Sequence, residues 1–183
     1  MLRNWAVAEI DSSRWGKYYR TCLPDAVFRK ANSECPTLAE GEWTQLEAAV
    51  RQLRSPLLND LLSFQIRWFE GKLLTEELAE AAIINLDQFN RVAPSKRLVD
   101  IAKAGIVPGQ EGFDSTKMRG FPILVAQRNE GPYCLVEGYS RCCSILSLKS
   151  SNHVSVIVGV SEDVGRWRWY QERPEVAHMV PPS

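Results

Sequence analysis

Histidine is scarce in this sequence, neither charge is in excess and no apolar run is long; each shortage removes a class of function. Only His153 and His178 are present. Cys22 and Cys35 lie too far apart in sequence for a metal knuckle, and two histidines are all that could assist them. Twenty-two basic residues balance twenty-two acidic ones, so the field of the whole chain offers no strong attraction to nucleic acid or to an anionic membrane, although a local patch stays open. No apolar stretch approaches the ~20 residues that cross a bilayer, and Met1-Leu2-Arg3-Asn4-Trp5 lacks the apolar run of a signal peptide. These features lead us to expect a cytoplasmic protein with no membrane partner. Five cysteines, an odd number with Cys142 and Cys143 adjacent, fit no disulfide framework. Reduced, mostly buried thiols are expected, because free cysteine behaves as a small apolar residue.

What is present suffices for one substantial core. With 45% hydrophobic residues in a chain of 183, a single domain over 1–183 is expected. It divides into a mostly helical half over 1–111 and an α+β core over 112–172. Leu38, Trp43, Leu46, Val50 and Leu53 recur at helical spacing, and Ser55-Pro56 should end that helix. Leu57 to Trp68 reads as a short helix and then a strand, with Phe69-Glu70-Gly71-Lys72 as a turn. Thr75 suits a helix N-cap, Glu76 to Phe89 should be helical, and Ser95 should cap a helix ending at Gly105. Val107 to Gly120 reads as loop. Trp5, Trp15, Trp43 and Trp68 are expected to pack the helical half against the sheet.

The pattern changes at Phe121. Pro122 to Ala126 and Tyr133 to Glu137 are short apolar runs flanking Asn129-Glu130-Gly131-Pro132, so the pair reads as a hairpin. A helix through Cys142, Ile145, Leu146 and Leu148 follows, and then a strand in which Val154, Val156, Val158 and Val160 alternate. This predicts a strand-helix-strand crossover of right-handed sense.

The chemistry concentrates at Glu137-Gly138-Tyr139-Ser140-Arg141, where a strand ending in an acid turns through glycine into a helix. Gly138 permits a sharp bend, and the first helix amides, from about Ser140, lack internal partners and form an anion site. Arg141 sets a cation where the helix dipole disfavours one, which favours function over a purely structural helix start. Glu137 can orient Arg141, accept a bond from a sugar hydroxyl, help bind a metal or act as a base. The same residues also read as an ordinary glycine turn with a surface ion pair worth under ~1 kcal/mol.

The segment Gly120 to Ala126 followed by Tyr133 to Arg141 resembles the ParB/sulfiredoxin-like superfamily, and is most similar to small stand-alone bacterial members. The likeness spans roughly Pro122 to Tyr170. It implies a small mixed sheet with a strand-turn-helix phosphate corner, carried over here to Glu137, Gly138 and Arg141, with Ser140 adjoining. Tyr139 is expected among the phosphate-binding residues with Gly138, Ser140 and Arg141, but it stands where many relatives have histidine, so imidazole chemistry does not transfer. Sulfiredoxin's catalytic cysteine would fall at Tyr139, so sulfinic acid repair is not implied. The resemblance implies binding of a nucleotide such as ATP or CTP, with Mg, or of a nucleic-acid phosphate, and phosphoryl-transfer or hydrolytic activity among relatives. Two alternatives stand beside it: a non-catalytic protein-interaction module with a degenerate site, and a metal-dependent nuclease in which Asp114 would join Glu137.

Other residues carry weaker signals. Arg166-Trp167-Arg168-Trp169-Tyr170 interleaves cations and aromatics suited to single-stranded nucleic acid, or anchors the core. Lys117 and Arg119 precede the hairpin and either close over a phosphate or are solvated. Asp114-Ser115-Thr116 offers a carboxylate and hydroxyls. Cys142 and Cys143 are nucleophiles if the helix start lowers a thiol pKa, and otherwise core residues. His153 lies beside the last strand.

Overall fold

Leu2, Trp5, Ala6 and Glu9 lie on one stripe of the first helix, and that stripe is buried. The computed structural model describes residues 1–12, 15–33, 35–105, 119–149 and 151–171. Its first half contains helices α1 (Leu2–Glu9), α2 (Gly16–Cys22), α3 (Asp25–Ala31), α4 (Glu40–Leu53) and α5 (Ser55–Leu61). The long helix α4 is the one that its apolar period predicts, and the Glu42 carboxylate closes its start by accepting the Ala39 amide at 2.8 Å. Ser55-Pro56 does more than end it. Pro56 stands in the first turn of α5, where a helix amide has no internal partner to lose.

Strand β1 (Arg67–Leu74) follows, and the expected turn at Phe69-Glu70-Gly71-Lys72 is corrected to mid-strand. These residues pair with the last strand, β5 (His153–Val160), in unbroken antiparallel register from Arg67 opposite Val160 to Leu74 opposite His153. The edge position explains the misleading composition, since β1 is exposed at most of its residues and need not be apolar. At Gly159 the Trp68 indole lies so close that a Cβ would come within 2.6 Å of its ring. A side chain there would expel the indole.

The long helix expected from Glu76 to Phe89 is likewise corrected. Helix α6 (Thr75–Ala79) stops early, β2 (Ala82–Ile83) pairs parallel with β4 (Cys134–Glu137), and only Asp87–Asn90 is helical again as α7. Thr75 is not the cap: its hydroxyl donates to the Ser151 carbonyl at 2.6 Å, while the Glu77 carboxylate accepts the Leu74 amide at 2.8 Å. Helix α8 (Leu98–Ala104) ends at Gly105 as expected but begins after Ser95, whose amide donates to the Asp100 carboxylate at 2.9 Å. Strand β3 (Ile123–Ala126) and β4 form the expected antiparallel hairpin, and α9 (Tyr139–Leu148) leads to β5.

The sheet order is β1-β5-β3-β4-β2. Because β3 runs antiparallel to β4 and parallel to β5, β4 and β5 are antiparallel, with β3 between them. The connection through α9 therefore does not join parallel strands, and the handedness rule invoked from the sequence does not govern it. Helices cover both faces. Trp5, Tyr19, Leu46, Leu58 and Trp167 pack with Ile123, Val125, Val136 and Ile157 on one side. Leu78, Leu98, Ile101, Cys142 and Ile145 pack with Leu124, Leu135 and the alternating Val154, Val156, Val158 and Val160 on the other. Trp15, Trp43 and Trp68 adjoin the first cluster, as expected for the helical half. No helix among the described residues is long and apolar enough to cross a membrane.

Candidate functional site

Glu137 ends β4, and Gly138 follows in the left-handed region with φ 103°, starting α9 at Tyr139. The bend is as sharp as the sequence implies. The room it leaves is taken up by the protein itself, because a Cβ on Gly138 would lie 3.0 Å from Pro122 Cα and 3.1 Å from Arg141 Nη2. The Arg141 guanidinium curls back over the glycine to donate to the Glu137 carboxylate, and its Nη1 donates to the carbonyls of Arg119 at 3.1 Å and Ala8 at 3.4 Å. Both side chains are largely buried, with 12% of Arg141 and 16% of Glu137 exposed. This is an internal tie between the sheet, the segment before β3 and the end of α1. Arg141 Nε, also buried, has no acceptor among the described residues.

Burial raises the Glu137 carboxyl above its ordinary value; Arg141 opposes the shift, nearby Glu9 adds to it and Arg54 opposes it. Glu9 and Arg54 were not legible as site residues, and they form a second ion pair beside the first. The Glu9 carboxylate accepts from both Nε and Nη2 of Arg54 and from the Tyr19 hydroxyl at 3.1 Å. The Arg54 guanidinium sits over the Trp15 ring, its carbon 3.5 Å from the ring centroid. One signal was available, since Glu9 continues the buried stripe of Leu2, Trp5 and Ala6. A charge on an apolar stripe needs a partner elsewhere in the fold. The four groups balance in charge, and the two carboxylates answer the two guanidiniums.

The remaining corner residues divide between inside and outside. Tyr139 faces inward: its hydroxyl donates to the Leu135 carbonyl at 2.8 Å and accepts the Ile84 amide at 2.9 Å, while its ring stacks on Phe89 at 4.5 Å. Ser140 is exposed. The first intrahelical bond recorded at this end runs from the Cys142 amide to the Gly138 carbonyl at 2.9 Å, so the amides before it belong to the free first turn.

Other candidates resolve into architecture. Arg119 donates to Asp11 and Asn32 side chains and to the carbonyls of Ala31, Asn32 and Ser33, which fastens it to the end of α3. Trp167 is buried, with its indole donating to the Leu57 carbonyl at 3.3 Å. Trp169 and Arg168 donate to the Pro56 carbonyl at 3.0 and 2.9 Å, so the aromatic run anchors the chain on α5. Burial pushes the Cys143 thiol up to about 12 and Cys142 higher still, the opposite of an activated nucleophile. Of the five thiols, Cys134, Cys142 and Cys143 are buried, and Cys22 and Cys35 are exposed. His153 is exposed at the start of β5. Asp114, Ser115, Thr116, Lys117 and His178 lie outside the described residues.

A cleft of about 600 Å³, lined by Gln65, Arg67, Gln127, Arg128, Ser161 and Glu162 among others, opens where β3 and β5 end. Glu137 faces Ile123 at the start of β3, so this cleft lies at the other end of the sheet. Among the described residues no group of three or more histidine, cysteine, aspartate or glutamate side chains could hold a metal ion. The chain matches no protein-family model, no curated protein and no solved structure.

Proposed function

We propose that the chain is a ParB/sulfiredoxin-like protein that binds a phosphate-bearing ligand, a nucleotide or a nucleic-acid backbone, on the outer side of the β4–α9 corner. The observation that carries this reading is the buried Arg141 Nε, a charged donor without an acceptor among the described residues, on the first turn of a helix with free amides and the exposed Ser140 hydroxyl. An anion there would gain the amides and the hydroxyl. Glu137 holds Arg141 in place and is a positioning residue, with ligand contact left to α9. Equilibrium binding of fluorescent ATP, CTP, ADP and GTP tests the proposal. Binding of at least one is expected, weakened at least tenfold in Ser140→Glu, whose carboxylate repels an anion from an exposed site without touching the ion pair. No binding by the folded wild-type protein, or equal binding by Ser140→Glu, overturns it.

A second reading has its own support. The terminal nitrogens of Arg141 already serve Glu137 and two carbonyls, and Pro122 occupies the room beside Gly138. Those contacts suit a degenerate site in a non-catalytic protein-interaction module. A stable complex recovered by pull-down, unchanged by Ser140→Glu and accompanied by no nucleotide binding, favours it over the first. The nuclease reading has no observation in its favour.

A further inference from the structure

We infer that the outer edge of β1 is a self-association surface, on which β1 of a second copy pairs antiparallel about Gly71. Among the described residues β1 has a neighbour on one side only, β5. An eight-residue strand with an open edge offers unpaired backbone groups to any extended partner. Phe69 and Leu74 are exposed on it at 45% and 44%. A Cβ at Gly71 would meet nothing within 4 Å, so the middle of the strand is open to close approach.

The backbone fixes which groups face outward. The Thr75 amide donates to the Asn152 carbonyl at 3.0 Å on the β5 side, and the Leu74 amide turns away to the Glu77 carboxylate. Antiparallel pairing alternates, so Trp68, Glu70 and Lys72 direct their amides and carbonyls to the open edge. Charge then selects the register. A two-fold axis at Glu70 would set Glu70 against Glu70, and one at Lys72 would set Lys72 against Lys72. An axis at Gly71 sets Glu70 against Lys72 of the second copy twice, as hydrogen-bonded pairs with opposite charges across the interface. It also brings Phe69 opposite Leu73 and gives the exposed ring an apolar neighbour. A lysine on a bare edge ordinarily discourages pairing, but in this register it meets a carboxylate.

Sedimentation equilibrium on the full chain tests the inference. Wild type should give twice the 20.7 kDa chain mass, and Glu70→Lys and Lys72→Glu should each fall to one chain mass, since each creates two like-charge pairs. An equimolar mixture of the two variants should return to twice the chain mass, because one chain then carries lysine at both positions and the other glutamate at both, so that opposite charges face each other again. In Gly71→Cys, with Cys22 and Cys35 changed to serine, mild oxidation should yield a covalent dimer across the opposed, non-hydrogen-bonded positions. A monomeric wild type at every loading, single variants that stay dimeric, a mixture that stays monomeric or the absence of the covalent dimer overturns it.

Discussion

The Arg141 guanidinium reaches back over Gly138 to the Glu137 carboxylate and onward to the carbonyl of Ala8, 133 residues earlier in the chain. One side chain thus joins the start of α9 to the end of α1. Replacing it with alanine leaves a buried carboxylate and two carbonyls without their donor. Arg141→Ala should lose about 3–5 kcal/mol of stability, as for a buried ion pair broken from one side. Urea unfolding measures this; a loss under about 1 kcal/mol would mean that the tie contributes little.

Glu9 and Arg54 should behave as one unit. Arg54→Met strands the Glu9 carboxylate, 3% exposed, while the double variant Glu9→Gln, Arg54→Met removes both charges and leaves a neutral pair. The double variant should therefore be more stable than the sum of the single losses implies, by a coupling of about 1–3 kcal/mol. Strict additivity in a double-mutant cycle contradicts the contact.

Glu137 links stability to pH. Its folded pKa lies above the ordinary 4.5, so the folded state holds this proton at a pH where the unfolded state has released it. Wild-type stability relative to Glu137→Gln should fall as the pH rises from about 4.5 to the raised folded value, and level off above it. Paired denaturation curves across that range provide the comparison, and a difference that grows with pH reverses the sign and refutes the shift.

Thiol reactivity should split two to three. Cys22 and Cys35 are exposed, and Cys134, Cys142 and Cys143 are buried with raised pKa values. Titration of the native protein with an aromatic disulfide reagent should release two equivalents quickly and the other three only in denaturant. A third fast thiol would place one of the buried groups within reach of solvent.

Gly138→Ala puts a Cβ at φ 103° and 3.0 Å from Pro122. Strain and crowding together should cost about 2 kcal/mol, read as a lowered unfolding midpoint. An unchanged midpoint would show that the turn relaxes freely.

The elements legible in the sequence are those whose signal is local. Helix α4 follows its apolar period, the hairpin of β3 and β4 follows two apolar runs around Asn129 to Pro132, and β5 follows its alternating valines. The corner at Glu137 to Arg141 was legible for the same reason, since strand, glycine and helix are consecutive. Strand β1 was hidden beyond Trp68, where the sequence suggests a turn, because an exposed edge needs no apolar pattern, and β2 because two residues paired with Cys134 and Leu135 leave no period to read.

By itself the sequence determined the bend at Gly138, the apolar faces of α4 and β5 and that Glu137 and Arg141 share one turn. Only the tertiary structure decided what Arg141 touches, that Glu9 and Arg54 stand beside it, and that Phe69 to Lys72 is strand. The reason is that periodicity is a property of neighbours, whereas the partners of a buried charge or an extended backbone come from segments remote in the chain. Arg54 meets Glu9 across 45 residues and Arg141 meets Ala8 across 133, and no local pattern encodes such distances.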